Sequence, residues 1–222
     1  CYEAKIAATP GITILGVSPQ DVALYKTLFN PGDISYLPVF TPYRDIESPE
    51  GLGTYCLYHG NLSVCENEKA AIWLLEKVFS KIQVPFIIAG KNPSPRLKRV
   101  AARRCHSCLI ENPGEQQMKD LIARAQINVL PSFNSTGIKL KLLNALFNGR
   151  HCVVNEATVE QTGLDGACHI GSTPRAFQEI IVQLYHHVFG PEEIRLRKQL
   201  LCYDFDNQKN AKRLAGVIFK DT

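Results

Sequence analysis

From Thr54 to about Ile170 the chain alternates short continuous apolar runs with stretches whose apolar residues recur at helical spacing, and few folds accept that alternation. A strand that is apolar on both sides must be covered on both sides, and helices that cross over between parallel strands do this. Strands are predicted over residues 55–58, 84–89, 108–110, 127–130, 152–155 and 168–170. Helices are predicted over 68–81, 94–104, 116–125, 138–147, 174–188, 191–201 and 207–219. In the first of them, Ala71, Leu75, Val78, Phe79 and Ile82 form one stripe. The pattern implies an α/β fold, a Rossmann-like parallel sheet with helices on both faces.

Residues 1–53 have a different character. Cys1 to Ala8 reads as the end of a helix, so a preceding part of a longer protein is expected. Strand-like runs follow at 12–17 and 34–40. Between them Ser18-Pro19-Gln20-Asp21 opens a helix, with Ser18 as N-cap, Pro19 in the first turn and Asp21 at the positive end of the dipole. The stretch 41–53 carries Pro42, Pro49, Gly51 and Gly53 among charged residues and reads as a linker. The predicted division is therefore 1–53, a tail and linker, and 54–222, the sheet-bearing lobe.

Composition narrows the function classes. With 45% hydrophobic and 21% charged residues over 222, the chain is that of a globular protein with a sizeable core. No apolar run approaches the ~18 residues of a membrane span, and nothing resembles a secretory leader. A net charge of +4 is too mild for a nucleic-acid binder. The eight cysteines show no disulfide spacing, and Cys56, Cys152 and Cys202 sit in apolar runs. Reduced thiols in a cytoplasmic setting are the expectation.

In a doubly wound sheet, ligands bind outside the carboxyl ends of the strands. The loops there are polar and rich in Gly or Pro: His59-Gly60-Asn61, Gly90-Lys91-Asn92-Pro93, Glu111-Asn112-Pro113-Gly114 and residues 131–137. The helix after the last of these is apolar around most of its circumference, through Ile138, Leu142, Leu143, Ala145, Leu146 and Phe147. One narrow polar stripe remains: Gly137, Lys141, Asn144 and Asn148. Polar groups on a buried helix are costly unless they face a cleft or a partner. With Ser135 or Thr136 as cap, free N–H groups from Gly137 onward and Lys141 one turn in, the helix start is an anion site, and the implied ligand is a phosphate.

This segment, Gly137 to Gly149 followed by Cys152-Val153-Val154, is similar to the donor-binding motif of the retaining GT-B glycosyltransferases of group 1 that include many bacterial capsule and lipopolysaccharide sugar transferases. Three further stretches resemble the family in the same order: Ser18-Pro19-Gln20-Asp21 with Leu37-Pro38, Gly60-Asn61-Leu62 with Asn67-Glu68, and Gly90-Lys91-Asn92-Pro93 with Leu97. The resemblance implies that 54–222 is the C-terminal, nucleotide-sugar-binding lobe of a GT-B fold and 1–53 the tail of the N-terminal, acceptor lobe. The helix at 207–219 would cross back toward that first lobe. Backbone at Gly60, Gly137, Ile138 and Lys139 would hold the diphosphate, with Lys141 and Lys91. The loop around Asn112 would take the base, position 144 the ribose and position 136 the sugar.

Two departures stand out. Where the family usually carries the glutamates of a Glu-x7-Glu pattern, this chain has Thr136 and Asn144, and an Arg that often follows the first-loop Gly is Asn61. The activity implied is transfer of a hexose, mannose-type included, from a nucleotide diphosphate sugar to a polysaccharide or lipid-linked acceptor. Catalytic side chains are expected in the missing N-terminal lobe, so this piece alone is expected to be inactive. No tightly bound cofactor and no nucleic acid are expected; the partners are the donor, a carbohydrate or lipid-linked acceptor and the first lobe. The alternative is a non-catalytic nucleotide-binding or scaffold lobe that has lost the donor-reading glutamates.

Other features read as structural. Cys105-His106-Ser107-Cys108 lacks a second ligand pair at zinc spacing, and adjacent His186 and His187 point to different faces of a helix. The basic helix over 96–104 is read first as a solvated face, and second as a contact with anionic lipid at the inner face of a membrane. Asn67 reads as a helix N-cap and Trp73 as core. His59 reads equally as a packed strand end and as a donor contact.

Overall fold

A computed structural model describes residues 2–30, 32–134 and 139–219, apart from the Tyr203 side chain. It opens with helix α1 (Tyr2–Ala7) and a two-stranded parallel unit, β1 (Ile14–Gly16) and β2 (Ile34–Tyr36), joined by α2 (Pro19–Phe29). Ser18 caps α2 as its sequence requires, accepting from the Asp21 N–H, with Pro19 in the first turn.

The main sheet is six-stranded and parallel: β3 (Cys56–Asn61), β4 (Phe86–Lys91), β5 (Ser107–Glu111), β6 (Ile127–Val129), β7 (His151–Val154) and β8 (His169–Ile170). Its order is β5-β4-β3-β6-β7-β8. The chain steps outward from β3 to β5 and then returns to lay β6 on the other side of β3. The strand order therefore reverses between β3 and β6, which is where a doubly wound sheet opens its ligand crevice. Neighbouring residues of β3 point to opposite faces. Cys56 and Tyr58 join a core with Ala70, Leu74 and Leu75, while Leu57 packs with Ile122 and Ala125. Both faces are thus covered, and the predicted fold class holds.

Helix α3 (Cys65–Trp73) starts three residues earlier than its apolar spacing suggests, with Val64 in the N-cap position. Asn67 is therefore not the cap but lies in the first turn. The helix widens into a π turn, Leu74–Val78, closed by the Phe79 N–H donating to the Leu74 carbonyl at 2.8 Å. Leu74, Leu75, Val78 and Phe79 all face the core through this wider turn. Helix α4 (Pro95–Ala102) buries Leu97 and Ala101 and turns its basic residues outward, and Lys98 pairs with Glu111 at 2.5 Å. Helices α5 (Glu115–Arg124), α6 (Leu140–Asn148), the short α7 (Glu156–Val159), α8 (Pro174–Tyr185), α9 (Pro191–Asp204) and α10 (Asn207–Ile218) complete the chain.

The stretch 41–53 has no helix or strand, as its prolines and glycines require, yet it is pinned to the sheet-bearing part. Glu47 N–H donates to the Phe147 carbonyl at 2.7 Å, the Ser48 hydroxyl to the Leu146 carbonyl, and Gly51 pairs with Phe189 in both directions. Tyr43 stacks on Phe147. At the other end, the Asn207 side chain clamps the Thr41 backbone through both its N–H and its carbonyl. Cys202, expected to be buried, is exposed: Leu201 and Phe205 are the inward pair of α9 and its junction, and Cys202 lies beside that line.

Candidate functional site

The site forms where the carboxyl ends of β3 and β6 diverge. On the β3 side the backbone passes from His59 through Gly60 and Asn61 into α3. Gly90, the partner of Gly60 in β4, has no room for a side chain, because a Cβ there would overlap the Gly60 carbonyl. That close approach holds the β3 and β4 loops together, with Leu62 N–H donating to the Lys91 carbonyl at 2.9 Å. Asn61 turns its own Oδ1 to the Ser63 N–H and hydroxyl, and its carbonyl accepts from Asn67 Nδ2 at 3.0 Å.

On the β6 side, the Asn155 amide grips Ser132 from both directions, accepting its N–H at 2.8 Å and donating to its carbonyl at 2.7 Å. Phe133 is half-exposed and meets Trp73 edge-on; Trp73 itself is partly buried against Phe177. The expected contacts at Ser135, Thr136, Gly137 and Ile138 lie outside the described residues. Lys139 takes φ −86° and ψ 88°, outside the helical region, so α6 begins at Leu140 with Lys139 as its N-cap rather than at Gly137. The helix is otherwise the buried one its sequence predicts, with Leu142, Leu143, Ala145, Leu146, Phe147 and Asn148 inside.

Lys141, in the first turn of α6, crosses the top of the sheet. Its Nζ donates to Asn67 Oδ1 at 3.0 Å and to the Tyr58 hydroxyl at 3.3 Å, and it lies 5.0 Å from the centre of the Tyr58 ring. Tyr58 in turn donates to the Asn67 carbonyl at 3.0 Å. Every one of these partners is neutral. Burial, and secondarily Lys139, push the Lys141 ammonium down to about 8. Beside it His59 is 4% exposed with Nε2 unpartnered, and burial followed by Lys141 pushes it down to about 3. A partly buried cation held by neutral groups and adjoining a neutral imidazole has no negative partner among those contacts, which is chemistry that suits an anion. Burial also lowers Lys139, while Asp21 of α2 acts in the opposite direction, so the start of α2 stands close to this mouth.

The remaining candidates sit around this centre. Lys91 is exposed at the end of β4, in register with Asn61. Asn112 is two strands away, after β5, and its Oδ1 accepts the Asn92 N–H at 2.8 Å while its own N–H goes to the Gly90 carbonyl. Both asparagines adopt positive φ, 52° and 49°, a conformation Asn tolerates better than most residues. Asn144 follows Lys141 by one turn of α6 and accepts from Asn148. Sequence reasoning misses Tyr58 and Asn67 as parts of the site. The available signal is a hydroxyl-bearing aromatic inside a buried strand, which needs a polar partner.

Cavities lined by described residues also lie elsewhere, two of them as follows. One of about 530 Å³ is lined by Tyr43, Phe147, Phe205 and Asn207, and one of about 280 Å³ by His151, His169, His187 and Arg197. Neither touches Lys141. Among the described residues no cluster of His, Cys, Asp or Glu could hold a metal, the cysteines are free thiols, and no helix is long and apolar enough to cross a membrane.

Comparison with known proteins agrees with the geometry. A curated relative, an uncharacterized 44.6 kDa protein in the cps region of Klebsiella pneumoniae, is 25% identical over 200 residues, covering 84% of this chain and 50% of its own length. The crystal structure of TarM superposes with a TM-score of 0.75 at 12% identity, over 96% of this chain and 45% of that one. A mutant of S. aureus TarM in complex with fondaparinux, alpha-GlcNAc-glycerol and UDP gives 0.69 at 11% identity, over 91% and 43%. The chain thus spans about half the length of the proteins it matches. The profile of the family described as glycosyl transferases group 1 covers residues 53–187, which hold all six strands of the main sheet together with Tyr58, Asn67 and Lys141, and the chain belongs to that family.

Proposed function

We propose that the crevice between β3 and β6 binds the diphosphate of a nucleotide-sugar donor, and that in the complete protein a hexose, mannose-type included, is transferred from it to a polysaccharide or lipid-linked acceptor. The observation that carries this reading is Lys141: a largely buried ammonium at the switch point whose hydrogen-bond partners are Asn67 and Tyr58. Backbone at Gly60, Asn61 and the start of α6, including Gly137, Ile138 and Lys139, would cradle the phosphates, with Lys91 at the rim. Asn112 and its loop would meet the base, Asn144 the ribose and Thr136 the sugar. As the glycosidic bond breaks, negative charge gathers on the leaving diphosphate, and a preorganised cation with helix N–H groups stabilises it more than it stabilises the ground state.

In this reading residues 1–53 are the tail of an acceptor lobe and its linker, α10 returns toward that lobe, and the catalytic side chains belong to it. The chain by itself would bind donor without turning it over, in the cytoplasm. A scaffold lobe without catalysis is the second reading, favoured by Thr136 and Asn144 standing where acids are usual. Calorimetric titration with UDP, GDP and their sugars tests the proposal. Micromolar to millimolar binding of at least one, weakened roughly 10–100-fold in Lys141→Met, is the expected result; no heat from any of them would overturn it.

A further inference from the structure

Asn67, half-buried in the first turn of α3, joins the two sides of the crevice through a single amide. Its Nδ2 donates to the Asn61 carbonyl at 3.0 Å, on the loop that leaves β3. Its Oδ1 accepts from Lys141 Nζ, also at 3.0 Å, on α6. The first contact fixes the amide: a backbone carbonyl only accepts, so the NH2 lies there and the oxygen lies on the ammonium. The Tyr58 hydroxyl, 3.0 Å from the Asn67 carbonyl, stands 3.4 Å from the same side-chain oxygen. A side chain at Gly60 would come within 3.4 Å of the amide. Of the acids beside Asn67 on α3, Glu68 accepts from the Ser94 hydroxyl at the start of α4, and Glu66 is exposed. The other titratable groups about Lys141 are Tyr58 and His59 of β3 and Lys139, which Asp21 of α2 offsets.

We propose that Asn67 is the positioning residue for Lys141: its amide ties the ammonium to the β3 loop and, being neutral, leaves the charge to a bound diphosphate. The proposal rests on the reading of this crevice as a diphosphate site. An amide oxygen satisfies one N–H of the ammonium and carries no charge of its own, so an arriving anion meets no resident competitor. A carboxylate at the same position would reach the ammonium equally well and pair with it. Its second oxygen would then face the Asn61 carbonyl, and two acceptors cannot bond each other. Exchanging one NH2 for one oxygen would therefore close the cation to outside anions and release the loop.

The test follows Lys141 itself, by NMR of the chain carrying isotope-labelled lysine, with its signal assigned by its loss in Lys141→Met. The signal is titrated with alkali in wild type, Asn67→Asp and Asn67→Leu, and UDP and GDP are titrated calorimetrically into each at neutral pH. Asn67→Asp should move the Lys141 midpoint up by about one pH unit or more and weaken nucleotide binding at least about tenfold. Asn67→Leu removes an acceptor and keeps the site dry, so the midpoint should move down while binding weakens by about threefold or more. A residue that only supports the fold would, once lost, admit water to Lys141 and raise the midpoint in both variants. That result overturns the proposal, as does a midpoint unmoved in both. Opposite movements with neither nucleotide bound by wild type would uphold the tether and overturn the diphosphate reading alone. If Asn67→Asp does not fold, the direction in Asn67→Leu decides.

Discussion

Two cations of this chain are held by neutral oxygens, Arg197 fully buried and Lys141 partly buried, and they differ in whether those oxygens belong to the backbone. Arg197, 1% exposed on α9, spends its guanidinium on backbone: Nη1 donates to the carbonyls of Leu146 and Gly149 and to the Ser48 hydroxyl, and Nη2 to the Arg150 carbonyl. Its plane also lies over Phe189, 4.6 Å from the ring centre. Those carbonyls include the C-terminal end of α6, where a positive charge is favoured. Arg197→Met should strand them and cost about 3–5 kcal/mol, roughly 10 °C in Tm, as read by thermal unfolding. Lys141 donates to two side-chain oxygens, Asn67 Oδ1 and the Tyr58 hydroxyl, so Lys141→Met removes a partly buried charge and strands no backbone carbonyl. Its Tm should hold or rise, while affinity for the diphosphate falls roughly 10–100-fold. The same logic gives a pH dependence. Lys141 is protonated below about 8, so diphosphate affinity should weaken as pH rises through 8 toward 9.5. Affinity flat across that range would remove Lys141 from the site.

At the scale of elements, the strands are legible because burial on both faces leaves an apolar run that little else produces. β3, β4, β6 and β7 fall within a few residues of their predicted spans. What escapes is set by geometry the pattern does not encode. The π turn after Trp73 keeps an apolar stripe that reads as an ordinary helix. The start of α6 is drawn too early because Ser135 and Thr136 look like caps, whereas Lys139, with its non-helical backbone, is the N-cap. Arg197 is invisible because its partners are main-chain carbonyls scattered over several segments, with no acidic residue to announce a pair. The proposed phosphate site is legible in part: Lys141 stands out as a charge on an apolar wheel, but its tethers Tyr58 and Asn67 need the fold to bring them near. Gly90 belongs to this scale too. Gly90→Ala would push β4 off the Gly60 carbonyl, costing roughly 1–3 kcal/mol. It should also speed hydrogen exchange along 57–60 in preference to 151–154, and equal acceleration in both strands would contradict a local clash.

For the whole molecule, the buried titratable groups combine into one predicted stability profile. His59 is held down to about 3 and His151 to about 4, chiefly by burial, and His169 is lowered as well. An unfolded chain titrates these imidazoles near 6.5. From about pH 6.5 down to 3–4 it therefore binds protons that the folded chain refuses, and stability falls as pH falls. Above 6.5 the imidazoles are neutral in both states and contribute no slope. Lys141 contributes in the same sense on the alkaline side: from about 8 upward the unfolded chain holds a proton the folded one has lost, which favours the fold as pH rises. The rise ends near pH 9, where an unfolded chain ionises the thiols of Cys56, Cys152 and Cys168 that burial keeps protonated in the fold, and the tyrosines follow. Tyr36 is pushed up to about 12 by burial and then by Asp204, and Tyr58 is raised by burial, so above about 10 the unfolded chain sheds protons that the folded chain retains and stability drops. These groups together place the stability maximum on the alkaline side of neutrality, with a steep acid limb. His151 packs against Phe189 at 5.2 Å and its Nε2 meets the His187 carbonyl at 3.1 Å, so Phe in its place keeps the ring contact and gives up that bond. The doubly substituted His59→Leu, His151→Phe should therefore lose some stability at pH 7.5 and yet show a flatter acid limb between pH 6.5 and 4. A Tm difference between wild type and variant that stays constant across that range would mean these two imidazoles do not set the acid limit of the fold.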